Sequence, residues 1–261
     1  MADQVTGTRR DEWIVMADGA RLAVTLYLPP APAGPVPCVL EALPYRKDDM
    51  TASYRPDYVR LRDEYSYAVA RLDLRGTGSS GGRASDEYPE QEQRDLHEVI
   101  AWLADQPWCD GNIGMYGTSY SGFNSLQLAA ERPAALKAVI AIYSSDDRYN
   151  DDVHYMGGSL RWLDLVDYCH YMTPMNALPP VPAVWGEGWR QEWAARIAEH
   201  EPWLLTWLEH QRRDAYWQHG SISPDYDDIG CAVMIVAGWA DGYRNNTYRT
   251  VEALRAAGTP A

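Results

Sequence analysis

Gly114-Met-Tyr-Gly117-Thr118-Ser119-Tyr120-Ser121-Gly122 joins an apolar run, Ile113 to Tyr116, to a segment of helical character from Phe123 to Ala130. Glycines bracketing a serine at a strand-to-helix junction allow two backbones to approach where a side chain would not fit. The serine hydroxyl is then exposed at the amino end of the helix, which is the form of a nucleophile elbow. There the N–H of the next residue, Tyr120, is aimed at a developing oxyanion. The usual pattern is G-x-S-x-G; here Ser121 holds the closing small position and Gly122 follows it. A plain loop ending in a serine helix cap has the same composition, so the surrounding chain has to decide.

Trp13 to Leu28 alternates apolar and polar residues about Asp18-Gly19, a hairpin signal. Short apolar runs follow at Val36 to Leu40, Tyr67 to Leu72, Ile113 to Tyr116 and Leu136 to Ile142. Glu90 to Ala104 places Leu96, Val99, Ile100 and Leu103 on one helical face. Strands alternating with helices predict a mainly parallel sheet with its functional loops at the carboxyl ends of the strands. Asp73-Leu-Arg75-Gly76-Thr-Gly78-Ser-Ser-Gly81-Gly82 is glycine-rich, but it does not match G-x-G-x-x-G and no helix opens from it. It reads as a structural loop pinned by Asp73 and Arg75 rather than a nucleotide site.

From 144 to 228 the character changes: seven of the 11 tryptophans lie here among proline breaks. Gly157 to Met172 and Gly188 to Trp207 have helical periodicity and no strand is expected. This predicts a helical cap over the sheet, whose aromatic side chains either line a cleft or simply pack. The sheet resumes at Cys231 to Ala237, ends in Gly238-Trp239-Ala240-Asp241-Gly242, and a helix is expected from Asn245 to Ala257. The expected domains are therefore 1–143 and 229–261 for the core, with 144–228 as its insertion.

Thirty-seven acidic against 23 basic residues, a net charge of −14, argue against nucleic acid or an anionic membrane as partner. The four cysteines are far apart, with no zinc-type spacing, and read as reduced thiols. The amino terminus lacks a basic region followed by an apolar core, and no run reaches transmembrane length, which predicts a cytoplasmic protein. Asp241, between two glycines after a late strand, stands where an α/β-hydrolase puts the acid that orients its catalytic histidine.

The elbow, the preceding Pro107-Trp-Cys-Asp-Gly-Asn-Ile-Gly-Met-Tyr116, the Asp73-x-Arg75-Gly76-x-Gly78 loop, Pro44-Tyr45 and Gly238-Trp239-Ala-Asp241-Gly242 together resemble the cocaine esterase / X-Pro dipeptidyl-peptidase (CocE/NonD) hydrolases. The resemblance implies an α/β-hydrolase fold and an acyl-enzyme mechanism on an ester or peptide substrate, with no cofactor or metal. It makes Ser119 the nucleophile, Asp241 the triad acid, and the Tyr45 hydroxyl and Tyr120 N–H the oxyanion hole. In such enzymes the triad histidine follows the aspartate by some tens of residues and a β-rich jelly-roll domain comes after it. All six histidines here precede Asp241.

The chain is accordingly expected to be the amino-terminal portion of a longer hydrolase, with the last part of the fold missing and the uncovered surface prone to homodimerisation. The alternatives are a cap histidine such as His154 or His170 completing the triad, a histidine from a second chain, and a binding protein that keeps the pocket without the chemistry. Asp146, Asp147, Asp151 and Asp152 follow the strand after the nucleophile helix, and Asp146 and Asp147 are the expected ligands of a substrate's free α-amine. A solvated acidic loop is the plainer reading. Trp162 and Trp239 are expected to line the substrate cleft.

Overall fold

The computed structural model describes residues 7–30, 34–52 and 56–261. Its strands are β1 (Thr8–Val15), β2 (Arg21–Leu28), β3 (Val36–Leu43), β4 (Ala68–Asp73), β5 (Cys109–Thr118), β6 (Leu136–Ile142), a two-residue pair β7 (Tyr155–Met156) and β8 (Ser159–Leu160), and β9 (Ala232–Val236). The helices are α1 (Pro56–Tyr65), α2 (Glu90–Ala104), α3 (Tyr120–Glu131), α4 (Trp162–Ala177), α5 (Pro182–Trp185), α6 (Trp189–Glu199), α7 (Trp203–Glu209), α8 (Ala215–Gln218) and α9 (Arg244–Ala256).

Seven strands form one sheet in the order β1-β2-β4-β3-β5-β6-β9. β1 pairs antiparallel with β2, and β2 with β4; every later pairing is parallel. β2 and β4 are nearly all buried along their length, as strands covered on both faces must be. This is an α/β-hydrolase arrangement, and the hairpin, the central strands, α2 and α9 fall where the sequence pattern puts them. α1 lies in a stretch with no clear apolar period, and it forms because Tyr58 packs with Tyr27 and Val69 on the sheet.

The main core lies on the other face, where Leu96 and Val99 of α2, Phe123 and Leu126 of α3, and Leu254 of α9 pack on the sheet. Between β6 and β9 the described elements are helical apart from β7 and β8. The helix expected from Gly157 begins only at Trp162, because Gly157 and Gly158 both take positive φ and turn the β7–β8 hairpin. Pro202 similarly splits the second expected helix into α6 and α7.

This helical insertion is bolted to the loop that precedes α2. Trp203 Nε1 donates to the Ala84 carbonyl at 2.9 Å, and Trp207 Nε1 and the Tyr216 hydroxyl donate to Asp86 at 3.2 and 2.6 Å. Buried Arg148 donates to the Glu87 carbonyl at 3.0 Å, and buried Arg196 to the Gly78 and Ser80 carbonyls at 2.9 and 2.6 Å. Three of the seven tryptophans of the insertion, Trp203, Trp207 and Trp217, are thus buried in packing.

Asp73, at the end of β4, organises the glycine-rich loop from inside, accepting the Lys47 and Ser79 N–H groups at 2.8 Å each. Burial pushes its carboxyl up to about 6, against the pull of Lys47 and these two N–H groups. An amide there offers one acceptor oxygen for two donors. Asp73→Asn is expected to lose about 1–3 kcal/mol in urea unfolding with the helix content unchanged; full stability would disprove the organising role.

Candidate active site

Ser119 caps α3 with φ 60° and ψ −120°, a conformation that non-glycine residues hold only under constraint. The constraint is visible on both sides of the turn. Ser119 N–H donates to the Ile142 carbonyl at 2.8 Å, and the Gly122 and Phe123 N–H groups return to the Ser119 carbonyl at 2.9 and 3.0 Å. A β-carbon on Gly117 would lie 2.2 Å from that of Ser121, and one on Gly122 would lie 2.9 Å from the Gly117 carbonyl oxygen. Positive φ recurs at Arg46, Tyr88, Tyr143 and Asp151, each beside or within the segments that meet at Ser119.

Burial pushes the Tyr45 hydroxyl, carried on the loop after β3, above its ordinary range, opposed by the neighbouring Tyr168 and Ser119 side chains. Its ring meets those of Tyr120 and Tyr171 at 6.3 and 5.9 Å between centroids. Tyr120 is the first residue of α3, so its N–H is among those that find no partner within the helix. Its side chain is anchored in the core: the hydroxyl donates to Glu92 at 2.7 Å, accepts the Tyr88 N–H at 2.9 Å, and the ring packs on Tyr88 at 4.0 Å. Ser119, Tyr45 and Tyr120 are therefore brought together. Complete burial pushes the Glu92 carboxyl up to about 8, assisted by Glu87 and Asp95 and opposed by the Tyr120 hydroxyl.

A cavity of about 40 Å³ opens beside Ser119, lined also by Glu87, Tyr88, Asp152, Tyr168 and Tyr243. That volume holds a small polar group and not an acyl chain. Glu87 Oε2 lies 3.1 Å from Nε2 of wholly buried His154, whose Nδ1 is 3.0 Å from the Arg148 carbonyl. Burial, together with Glu87 and against the pull of His154, raises the Asp152 carboxyl above the usual carboxylate range. Burial alone would lower His154, but Glu87 and Asp152 outweigh it and raise this imidazole.

Asp241 stands after β9, buried, with Oδ1 accepting the Tyr243 N–H at 2.6 Å. Ser119 and Asp241 both follow carboxyl ends of parallel strands, with only β6 between those strands, a lateral separation of about 10 Å. Among the described residues no histidine is bonded to either. His97, His210 and His219 pair with Glu131, Asp214 and the Tyr88 carbonyl, His154 with Glu87, and His170 is exposed.

Two expectations are corrected. Asp146 is fully buried and bonded to Arg249, the Tyr226 hydroxyl and Thr250, and Asp147 accepts from Tyr149, Asn150 and Arg213. Their oxygens are used in tying α9 and the insertion to the β6 end, so neither faces the Ser119 cavity. Of the four acids in that stretch it is Asp152 that does, joined by Glu87, which no local pattern singles out. Trp162 and Trp239 project into solvent at 61% and 82% exposure, outside the cavity lining, and Tyr168 of α4 takes the place expected of them.

The model of the X-Pro dipeptidyl-peptidase (S15) family matches residues 18–260. The chain belongs to that family. A curated S15-type relative, the cocaine esterase of a Rhodococcus species, is 30% identical over 265 aligned positions, covering 93% of this chain and 45% of that protein. Two solved structures share the fold: an aminopeptidase from a Thaumarchaeota archaeon (TM-score 0.71, 20% identity, 98% of this chain and 47% of that one) and a CocE/NonD family hydrolase from Staphylococcus aureus (TM-score 0.67, 21% identity, 95% and 49%). The family read from the motifs is the one found. The chain spans about half the length of these three proteins, and no helix among its described residues is long and apolar enough to cross a membrane.

Two measurements probe this geometry. Gly117→Ala should cost roughly 1–3 kcal/mol in chemical unfolding, the ordinary penalty for overpacking, and a neutral result would mean the turn is not tight. For Glu92 the folded carboxyl titrates near 8 and the unfolded one near 4.5, so the folded state holds the extra proton between those values. Stability then falls as pH rises from about 5 to 8. Glu92→Gln should flatten that part of the melting-temperature profile; an unchanged slope would exclude Glu92 as its source.

Proposed function

We propose that this chain carries the nucleophile half of a serine hydrolase that cleaves an ester or amide next to a free amine. Ser119 attacks the carbonyl; the Tyr45 hydroxyl and Tyr120 N–H receive the oxyanion; water then releases the acyl group. Asp241 orients the base. That base is a histidine supplied from polypeptide outside these 261 residues, a reading supported by the observation that among the described residues no histidine is bonded to Ser119 or to Asp241. The insertion over 144–228 forms the roof of the cleft.

One observation carries the substrate reading: Glu87 and Asp152 line the same small cavity as Ser119. Two carboxyls at that depth favour a cation, and the space admits an ammonium group but no acyl chain. The archaeal structural neighbour, an aminopeptidase, is in keeping with a substrate that bears a free amine.

Two experiments separate the parts of this reading. Fluorophosphonate labelling followed by intact mass should be slow in the 261-residue chain and confined to Ser119, disappearing in Ser119→Ala. Rapid stoichiometric labelling would show instead that a base is already present. Calorimetry with an amino alcohol and its deaminated analogue should give binding of the first only, weakened about tenfold or more by Asp152→Asn or Glu87→Gln. Equal affinity for both compounds would remove the amine pocket and leave a plain esterase reading.

A further inference from the structure

A second polar cavity, of about 110 Å³, lies where the insertion meets the loop after β4. It shares no lining residue with the cavity beside Ser119. Its walls include Ala84 and Ser85 of that loop, Asn176 in the last turn of α4, and His200 where α6 ends, with Arg83 and Arg196 alongside. Asn176 stands two helical turns from Tyr168, about 12 Å along α4 and away from Ser119.

The buried charges here are already paired. Arg83 donates to Glu199 and Glu192 at 2.7 and 2.9 Å. Arg196 donates to Glu192 at 3.1 Å and to the Gly78 and Ser80 carbonyls. Glu201, also at this cavity, is exposed to solvent. The neutral groups are a different case. Asn176 is only 4% exposed, yet neither its amide oxygen nor its amide nitrogen has a hydrogen-bond partner among the described residues, and enclosed Nε2 of His200 has none there either. Burial lowers the His200 imidazole, which is therefore neutral at pH 7. An unpaired buried amide is costly, and native interiors keep few of them.

One acceptor, two donors and an imidazole nitrogen thus border the same space. What they lack is hydrogen-bond partners, not a counter-ion. A primary amide matches them: its carbonyl accepts from the Asn176 nitrogen, one of its N–H groups donates to the Asn176 oxygen, and the other remains for His200 Nε2. The volume has room for a molecule of a few non-hydrogen atoms.

We propose that this cavity is a binding site for a small uncharged primary amide, held by paired hydrogen bonds to the Asn176 side chain and a third to His200. The site does not depend on the hydrolase chemistry at Ser119. An occupant joins the end of α4 to the loop that carries Glu87 two residues beyond Ser85.

The test is a titration of nitrogen-15-labelled Ser119→Ala protein, which cannot turn an amide over, with acetamide. It follows the backbone signals of Ala84 and Ser85 and the side-chain NH2 signals of Asn176, identified by their loss in Asn176→Leu. Saturable shifts with a Kd of roughly 1–10 mM are expected, within what four non-hydrogen atoms can supply. Acetone, which only accepts, should bind about tenfold more weakly or worse. In Asn176→Leu the Ala84 and Ser85 shifts should vanish while the melting temperature rises by about 2 °C or more, since an apolar group of the same shape replaces an unpaired amide. No saturable shift with acetamide would leave a pocket for ordered water only and overturn the proposal. Tighter binding of acetate or methylammonium than of acetamide would overturn it in favour of a charged ligand at Arg83 or Glu201. Shifts retained in Asn176→Leu, or a lowered melting temperature, would show that the Asn176 amide is not the recognition group.

Discussion

The close crossing of β5 and α3 is the contact on which the rest of this molecule depends. Gly117 and Gly122 let the two backbones meet, and the Ser119 N–H bond to the Ile142 carbonyl locks the turn to the neighbouring strand. A serine forced to φ 60° there is held by the sheet and the helix at once, so the direction in which its side chain leaves the backbone is fixed. The strain is offset by the burial of α3, whose residues from Tyr120 to Ala129 are all in the interior. The other parts of the site take their positions from this turn: Tyr45 reaches Ser119 from the next strand loop, and Tyr120 offers its N–H because its side chain is fixed below.

Charge is used differently in the core and in the site. Buried ions far from Ser119 are paired, as with Arg71 and Glu41 or Arg75 and Asp95. Around the cavity the balance is acidic: Glu87 and Asp152 share one imidazole, His154, with Arg148 behind it, while Glu92 accepts from the Tyr120 hydroxyl. Burial, aided by Glu87, raises the proton affinity of Asp152 and Glu92. The loop carrying Glu87 is held by Trp203, Trp207, Tyr216 and Arg148 of the insertion. Helices that share no strand with the core thus determine the electrostatics beside Ser119.

Much was legible in the chain because it rests on local chemistry. The hairpin about Asp18-Gly19, the face of α2, the elbow and Asp241 all depend on residues within a few positions of one another. The glycine-rich loop was also readable as structural, and Asp73 does pin it. Other expectations failed where a longer-range partner decided. Asp146 and Asp147 looked free until Arg249, Tyr226 and Arg213, from distant segments, took their oxygens. Trp162 and Trp239 looked like cleft residues because tryptophan is large, but their helix and loop turn them outward.

By itself the sequence determined the family, the glycine-bracketed turn at Ser119 and the succession of strands and helices along the chain, since these follow from glycine spacing, apolar period and motif. Only the tertiary structure decided which acids face Ser119 and that, among the described residues, no histidine is bonded to it. Those properties are set by packing between segments as much as 130 residues apart, where neither period nor spacing carries information.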